Sequence, residues 1–157
     1  MKIVWDQFLI LATNPLLACA FVAWLIAQLS KIIRALFERE KCNYWKLLFA
    51  NGGMPSSHSS CVMALCSASG MQYGLGSPYF AITAIMAAIV MIDASGVRYE
   101  TGKQAIMINR IMKELFSGDP ELWNTGLKEL VGHTPFQVLM GALLGLFVGV
   151  GMHLWVF

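Results

Sequence analysis

Two histidines stand where chemistry is possible. His58 lies in "GGMPSSHSS" (52–60) and His133 in "VGHTPF" (131–136). Each sits within a few residues of a proline, Pro55 or Pro135, that opens an apolar run. A titratable group at the mouth of an apolar helix is costly unless it faces protein or water. Helix N-termini present free backbone N–H groups and the positive end of the helix dipole, and both favour anions. Ser56 and Ser57 add hydroxyl and backbone donors, and Gly52-Gly53 lets the backbone approach closely. Cations gather at the same end of the apolar runs: Lys31 and Arg34 close the first, and Arg98 follows the third in "DASGVRYETG" (93–102). Arginine offers a planar fork of donors suited to phosphate. Two histidines, a serine-rich helix start, a lysine and an arginine on one face point to phosphoryl transfer. Against this, Lys31, Arg34, Arg39, Lys41 and Lys46 also fit a plain positive flank that anchors a span.

The elements that must position these groups are apolar helices. Of the 157 residues, 57% are hydrophobic and 13% charged, against about 25% charged in a soluble domain. Such a composition excludes a soluble globular protein and predicts one integral membrane domain, 1–157, of all-α class. Four spans are expected: about Phe8 to Ser30, with Asn14-Pro15 as a kink; Pro55 to Gln72; Tyr79 to Ile92; and Thr134-Pro135 to the C-terminus. "YGLGSP" (73–78) is a turn. The first apolar run is long enough to be retained as a span rather than removed as a signal peptide.

Between the third and fourth spans the pattern changes. In "KQAIMINRIMKELF" (103–116), Ala105, Ile108, Met112 and Leu115 share one helical face, with Gln104, Asn109, Arg110, Lys113 and Glu114 away from most of it. This is an amphipathic helix suited to the membrane interface. Asp119-Pro120 signals a second short helix over 120–131. In the last span Gly141, Gly145 and Gly149 recur every four residues and form a ridge for close helix packing, within the protomer or in a homodimer. Cys19, Cys42, Cys61 and Cys66 lack metal-ligand spacing and read as small apolar residues. The net charge of +2 gives no sign of a nucleic-acid partner; membrane lipid is the expected one.

The three segments "GGMPSSHSS", "DASGVRYETGKQA" and "ELVGHTPFQVLMGALLG", in that order, resemble the divergent bacterial and plant branch of the type 2 phosphatidic acid phosphatase superfamily. Bacterial acid phosphatases and vanadium haloperoxidases belong to the same superfamily. The likeness runs from about Gln28 to Gly149. It implies a helical-bundle membrane phosphatase, vanadate-sensitive and needing no metal or other cofactor. The substrate would be a phosphomonoester or diphosphate, of a lipid or a small ester. By the same resemblance, His133 attacks phosphorus to give a phosphohistidine and His58 protonates the leaving oxygen. Lys31, Ser56, Ser57 and Arg98 hold the phosphoryl oxygens. The chain departs from the superfamily pattern where an acid normally follows the nucleophile by four residues, since Gln137 stands there. Asp93, Glu100, Glu129 or Gln137 itself is then expected to orient His133. The alternative reading is a non-catalytic protein of the same fold that binds an anionic lipid or moves a small solute.

Charge predicts sidedness. Ten of the eleven Lys and Arg residues fall in the first and third loop regions or at their borders, leaving Lys2 opposite. Positive residues near span ends stay in the cytoplasm. The expectation is therefore a bacterial inner-membrane protein with both termini outside and the His58/His133 face in the cytosol.

Overall fold

A computed structural model of the chain describes residues 5–6, 13–37, 53–115 and 132–156. Five helices make up the described fold: α1 (Pro15–Phe37), α2 (Ser57–Tyr73), α3 (Pro78–Ser95), α4 (Val97–Leu115) and α5 (Pro135–Trp155). No strand occurs among the described residues. The all-α membrane bundle expected from the composition is the fold observed. The second short helix expected over 120–131 lies outside the described residues.

Local sequence explains the helix starts. Asn14 Oδ1 accepts from the Leu16 and Leu17 amides at 3.0 and 3.2 Å. Asn14-Pro15 therefore begins α1; the expected part of the span from Phe8 to residue 12 lies outside the described residues. The helix also runs beyond Ser30, to Phe37. Ser56 caps α2 by accepting from the Ser59 amide, and Ser77 caps α3 with Pro78 in its first turn. Thr134 and Gln137 form a reciprocal capping box at the start of α5, with Pro135 in that first turn. Each cap satisfies backbone donors that a helix start leaves open. Gly74, at φ +83°, ends α2 in a conformation that suits glycine.

α2 is the central helix. It packs against α5 most extensively, then against α1 and α3. Its buried residues are mostly serine, alanine and glycine, among them Ser57, Ser59, Ser60, Ala64, Ser67 and Ser69. The facing ridge of α5 is Gly141, Gly145 and Gly149, all buried. A Cβ on any of them would collide with α2: the Ser56 carbonyl at Gly141, the Ser60 carbonyl at Gly145, the Ser67 hydroxyl at Gly149. Ser60 Oγ, 3.0 Å from both the Ser56 and the Gly141 carbonyl oxygens, ties the two helices together. Close backbones and hydroxyl bonds hold helices together in lipid, where apolar burial between them contributes little. The glycine ridge is thus packed against α2 within the protomer.

α1, α5 and the α3–α4 stretch are long and apolar enough to cross a membrane. α2, the expected second span, has 17 residues. At 1.5 Å per residue it measures about 25 Å, short of a hydrocarbon core of about 30 Å. Shielded by its neighbours, it meets little lipid and can carry serine where a lipid-facing helix would carry leucine.

α4 extends the expected amphipathic stretch back to Val97 and packs on α3. Met107, Ile108, Ile111, Met112 and Leu115 are exposed, on the side away from Asn109, Arg110 and Lys113. Nitroxides placed singly along 105–115 are expected to be oxygen-accessible at 108, 111, 112 and 115 and open to aqueous reagents at 110 and 113. A water-accessible pattern right round the helix would contradict an interfacial seat.

Candidate active site

One end of the bundle gathers the residues singled out above. α1 and α3 run toward this end, and α2 and α5 run away from it. Three contacts fix the arrangement. Lys31 Nζ, on α1, donates to Ser57 Oγ, on α2, at 3.3 Å. The Ser56 amide donates to the Gln137 carbonyl at 3.1 Å, joining the starts of α2 and α5. The His133 amide donates to the Ala94 carbonyl at 3.2 Å, docking the loop before α5 on the last turn of α3. That carbonyl has no acceptor role inside its own helix end, so the loop satisfies it.

Lys31 is 6% exposed. A charge serving only to set topology would reach for headgroups, whereas this one turns into the bundle. Its stem lies against Gly53, whose φ is +77° and where a Cβ would come 3.6 Å from the lysine Cδ. Met54-Pro55, a cis peptide, follows before the Ser56 cap. Among the described residues no carboxylate pairs with Lys31. A buried cation without a counter-charge favours an anionic ligand.

His133 is 5% exposed, and its Nε2 is buried without a hydrogen-bond partner. Burial, and behind it the positive charges of Lys31, His58 and Arg98, push its imidazole down to about 4 from an ordinary 6.5. The ring is thus neutral at physiological pH, which leaves a nitrogen lone pair for an electrophile. Those same charge effects place Lys31, His58 and Arg98 around His133 in one electrostatic neighbourhood. His58, in the first turn of α2, is exposed at the mouth.

The serines divide the work. Ser57 is buried and receives the Lys31 ammonium. Ser56 is fully buried, and its Oγ accepts from the Ser59 amide and the Ser59 hydroxyl. Its visible task is to cap α2.

The residues expected to orient His133 go elsewhere. Asp93 pairs with Arg98 at 2.5 Å, and Glu100 with Lys103 at 2.9 Å. Gln137 Oε1 accepts from the Thr134 amide at 3.1 Å in the capping box. Glu129 lies outside the described residues.

Gly132 is a residue that the sequence reading passed over. A Cβ there would strike the backbone of Arg98 and Tyr99. This contact seats the residue before His133 directly on the start of α4, and so keeps Arg98 beside it. The signal was present in "VGHTP": a glycine next to a candidate nucleophile marks a close backbone approach.

The sequence pattern of the divergent PAP2 family matches residues 12–148. The chain is also 37% identical over 146 residues to the "Uncharacterized membrane protein YuiD" of Bacillus subtilis (strain 168). That alignment covers 87% of this chain and 92% of the relative. No solved structure matches. The matched span holds Lys31, the serine-capped start of α2, Arg98 and His133, and this helical membrane protein belongs to the divergent PAP2 family.

Proposed function

We propose that the protein is a membrane phosphatase that hydrolyses a phosphomonoester or diphosphate, of a lipid or a small ester, through a phosphohistidine. The observation that carries this reading is the buried Nε2 of a neutral His133, without a hydrogen-bond partner, beside a buried Lys31 that no carboxylate among the described residues pairs. In the first step Nε2 donates its lone pair to phosphorus, and the bond from phosphorus to the leaving oxygen breaks. Lys31, Arg98 and the backbone N–H groups at the start of α2 stabilise the equatorial oxygens. His58, exposed at the mouth, gives the leaving oxygen its proton. Water then attacks the phosphohistidine, His58 takes up a proton, and orthophosphate leaves with Nε2 restored.

The test is phosphate release by purified protein across phosphatidate, phosphatidylglycerol phosphate, isoprenyl diphosphates and soluble esters. His58→Ala should retain activity on substrates with good leaving groups, because those need no proton, and lose it on alkyl phosphates. Equal losses on both would remove His58 from the role of acid. The second reading is an anion-binding protein of the same fold without turnover. It is favoured by the engagement of Asp93, Glu100 and Gln137 away from His133. Saturable vanadate binding with no phosphate release from any ester would decide for it.

The positive charge at the site end argues that this end faces the cytosol. The check is impermeant maleimide labelling of intact cells, on a background lacking the native cysteines. Cysteine at position 43 or 124 is expected to be protected and cysteine at 76 to react. The reverse pattern would put the site and its substrate pool outside.

A further inference from the structure

We propose that Asp93 is a positioning residue for Arg98, holding its guanidinium as the anion-facing fork of the site, and is not a partner of His133. The inference rests on the anion-site reading above. Arg98 begins α4 just past Gly96, and Asp93 lies in the last turn of α3, so the ion pair spans the corner between the two helices. Arg98 Nε donates to Asp93 Oδ2 at 2.5 Å. The side chains are 60% and 39% exposed. A pair so open to solvent adds little to stability, about 0–1 kcal/mol. Its consequence is orientation. The arginine backbone is already fixed, because Gly132 abuts it and the next residue, His133, is tied to Ala94. What is loose is the long side chain, and Asp93 fastens it by one donor. The two Nη groups carry the other four N–H donors of the guanidinium. A fork held from behind loses less conformational freedom on meeting a phosphoryl group than a free one.

The same geometry explains why Asp93 cannot serve two masters. A carboxylate that orients the nucleophile would have to face His133, whereas this one faces Arg98. With Arg98 paired to Asp93, Lys31 carries the positive charge at the site that no described carboxylate pairs.

The experiment uses the full chain in nanodiscs of phosphatidylcholine and phosphatidylglycerol, with orthovanadate as the probe. Binding is read by calorimetry and vanadium NMR, and turnover on the best ester is read in parallel. Asp93→Asn is expected to weaken vanadate binding and raise KM about tenfold, with kcat changed less than about threefold, as fits the loss of ordered charge-assisted bonds. Asp93→Glu should recover most of the affinity. Arg98→Ala should weaken binding at least as much, and adding Asp93→Asn to it should cost nothing further.

Three results would overturn the proposal. Tighter vanadate binding in Asp93→Asn would make Asp93 a gate that repels anions. A collapse of kcat with vanadate affinity unchanged would make it the partner of His133. Additive losses in the double variant would uncouple it from Arg98. Vanadate binding does not require turnover. A wild-type protein that binds vanadate but releases no phosphate would thus sink the hydrolase reading and leave the Asp93 role standing on the binding data. No vanadate binding at all would sink both.

Discussion

His133→Ala is expected to abolish phosphate release, by at least about 10⁴-fold, because removing a covalent nucleophile leaves only binding and electrostatic stabilisation. Vanadate should still bind, more weakly, since Lys31 and Arg98 remain. Rapid acid-free quench of the wild-type protein with a radiolabelled ester should trap an acid-labile, alkali-stable phosphoenzyme, and His133→Ala should trap none. Full turnover in the variant would end the phosphohistidine mechanism.

The same residue makes a pH prediction. Its pKa is lowered from 6.5 to about 4 in the fold, chiefly by burial. A lowered value means that the unfolded chain binds the proton more readily than the folded one. The stability tied to a neutral His133 is therefore fully present above about pH 6.5 and is lost as pH falls toward 4. The nucleophile itself stays unprotonated down to about 4. The acid limb of kcat/KM set by this group should fall well below 6.5. The stability of the wild-type protein between pH 4 and 7, read by thermal unfolding, should slope more steeply than that of His133→Gln, which has no such proton to take up on unfolding. Parallel curves would show that His133 is not buried as a neutral base.

Gly145→Val is expected to prevent stable folding. A Cβ at this position collides with the Ser60 carbonyl and comes 2.9 Å from the Ala64 amide nitrogen. Both are backbone atoms of the central helix, so no rotamer change can relieve the contact. Overpacking costs about 1–3 kcal/mol when side chains can yield, and more is expected where backbone must move. The α2–α5 crossing also carries the Ser56–Gln137 bond that holds the two histidine-bearing helix starts together. Vanadate binding should therefore vanish along with the folded fraction. Gly151→Ala is the control: on the same helix, a Cβ meets nothing within 4 Å, and alanine is the better helix former by about 1 kcal/mol. Its unfolding temperature should match or exceed the wild type. A stable Gly145→Val protein would mean that α2 and α5 do not touch along this ridge.

Composition and periodicity determined that the chain is a helical membrane protein, because hydrocarbon forces backbone bonds to close within each segment and demands long apolar runs. "GGMPSSHSS" and "VGHTP" marked two helix starts, since caps and prolines act locally and are readable in order along the chain. The glycines of α5 announced a close contact for the same reason. What they touch was not legible: a ridge with period four fits a neighbour in the same chain and a second copy equally well. Only the tertiary fold shows that α2 packs against it. Lys31 shows the limit most clearly. In sequence it ends an apolar run beside other cations and reads as an anchor. Its burial against Ser57 depends on α1 continuing to Phe37 and on Gly53 folding over its stem. The partners of Asp93 and Gln137 were equally out of reach. A carboxylate five residues before an arginine can pair with it or face elsewhere, and the corner at Gly96 makes that choice for Asp93. The capping box claims Gln137 because helix starts must satisfy their own amides before a side chain is available to a neighbour. Which groups exist and which helix ends they occupy is local information. Which of them face one another is set by how four helix ends meet, and that belongs to the tertiary fold alone.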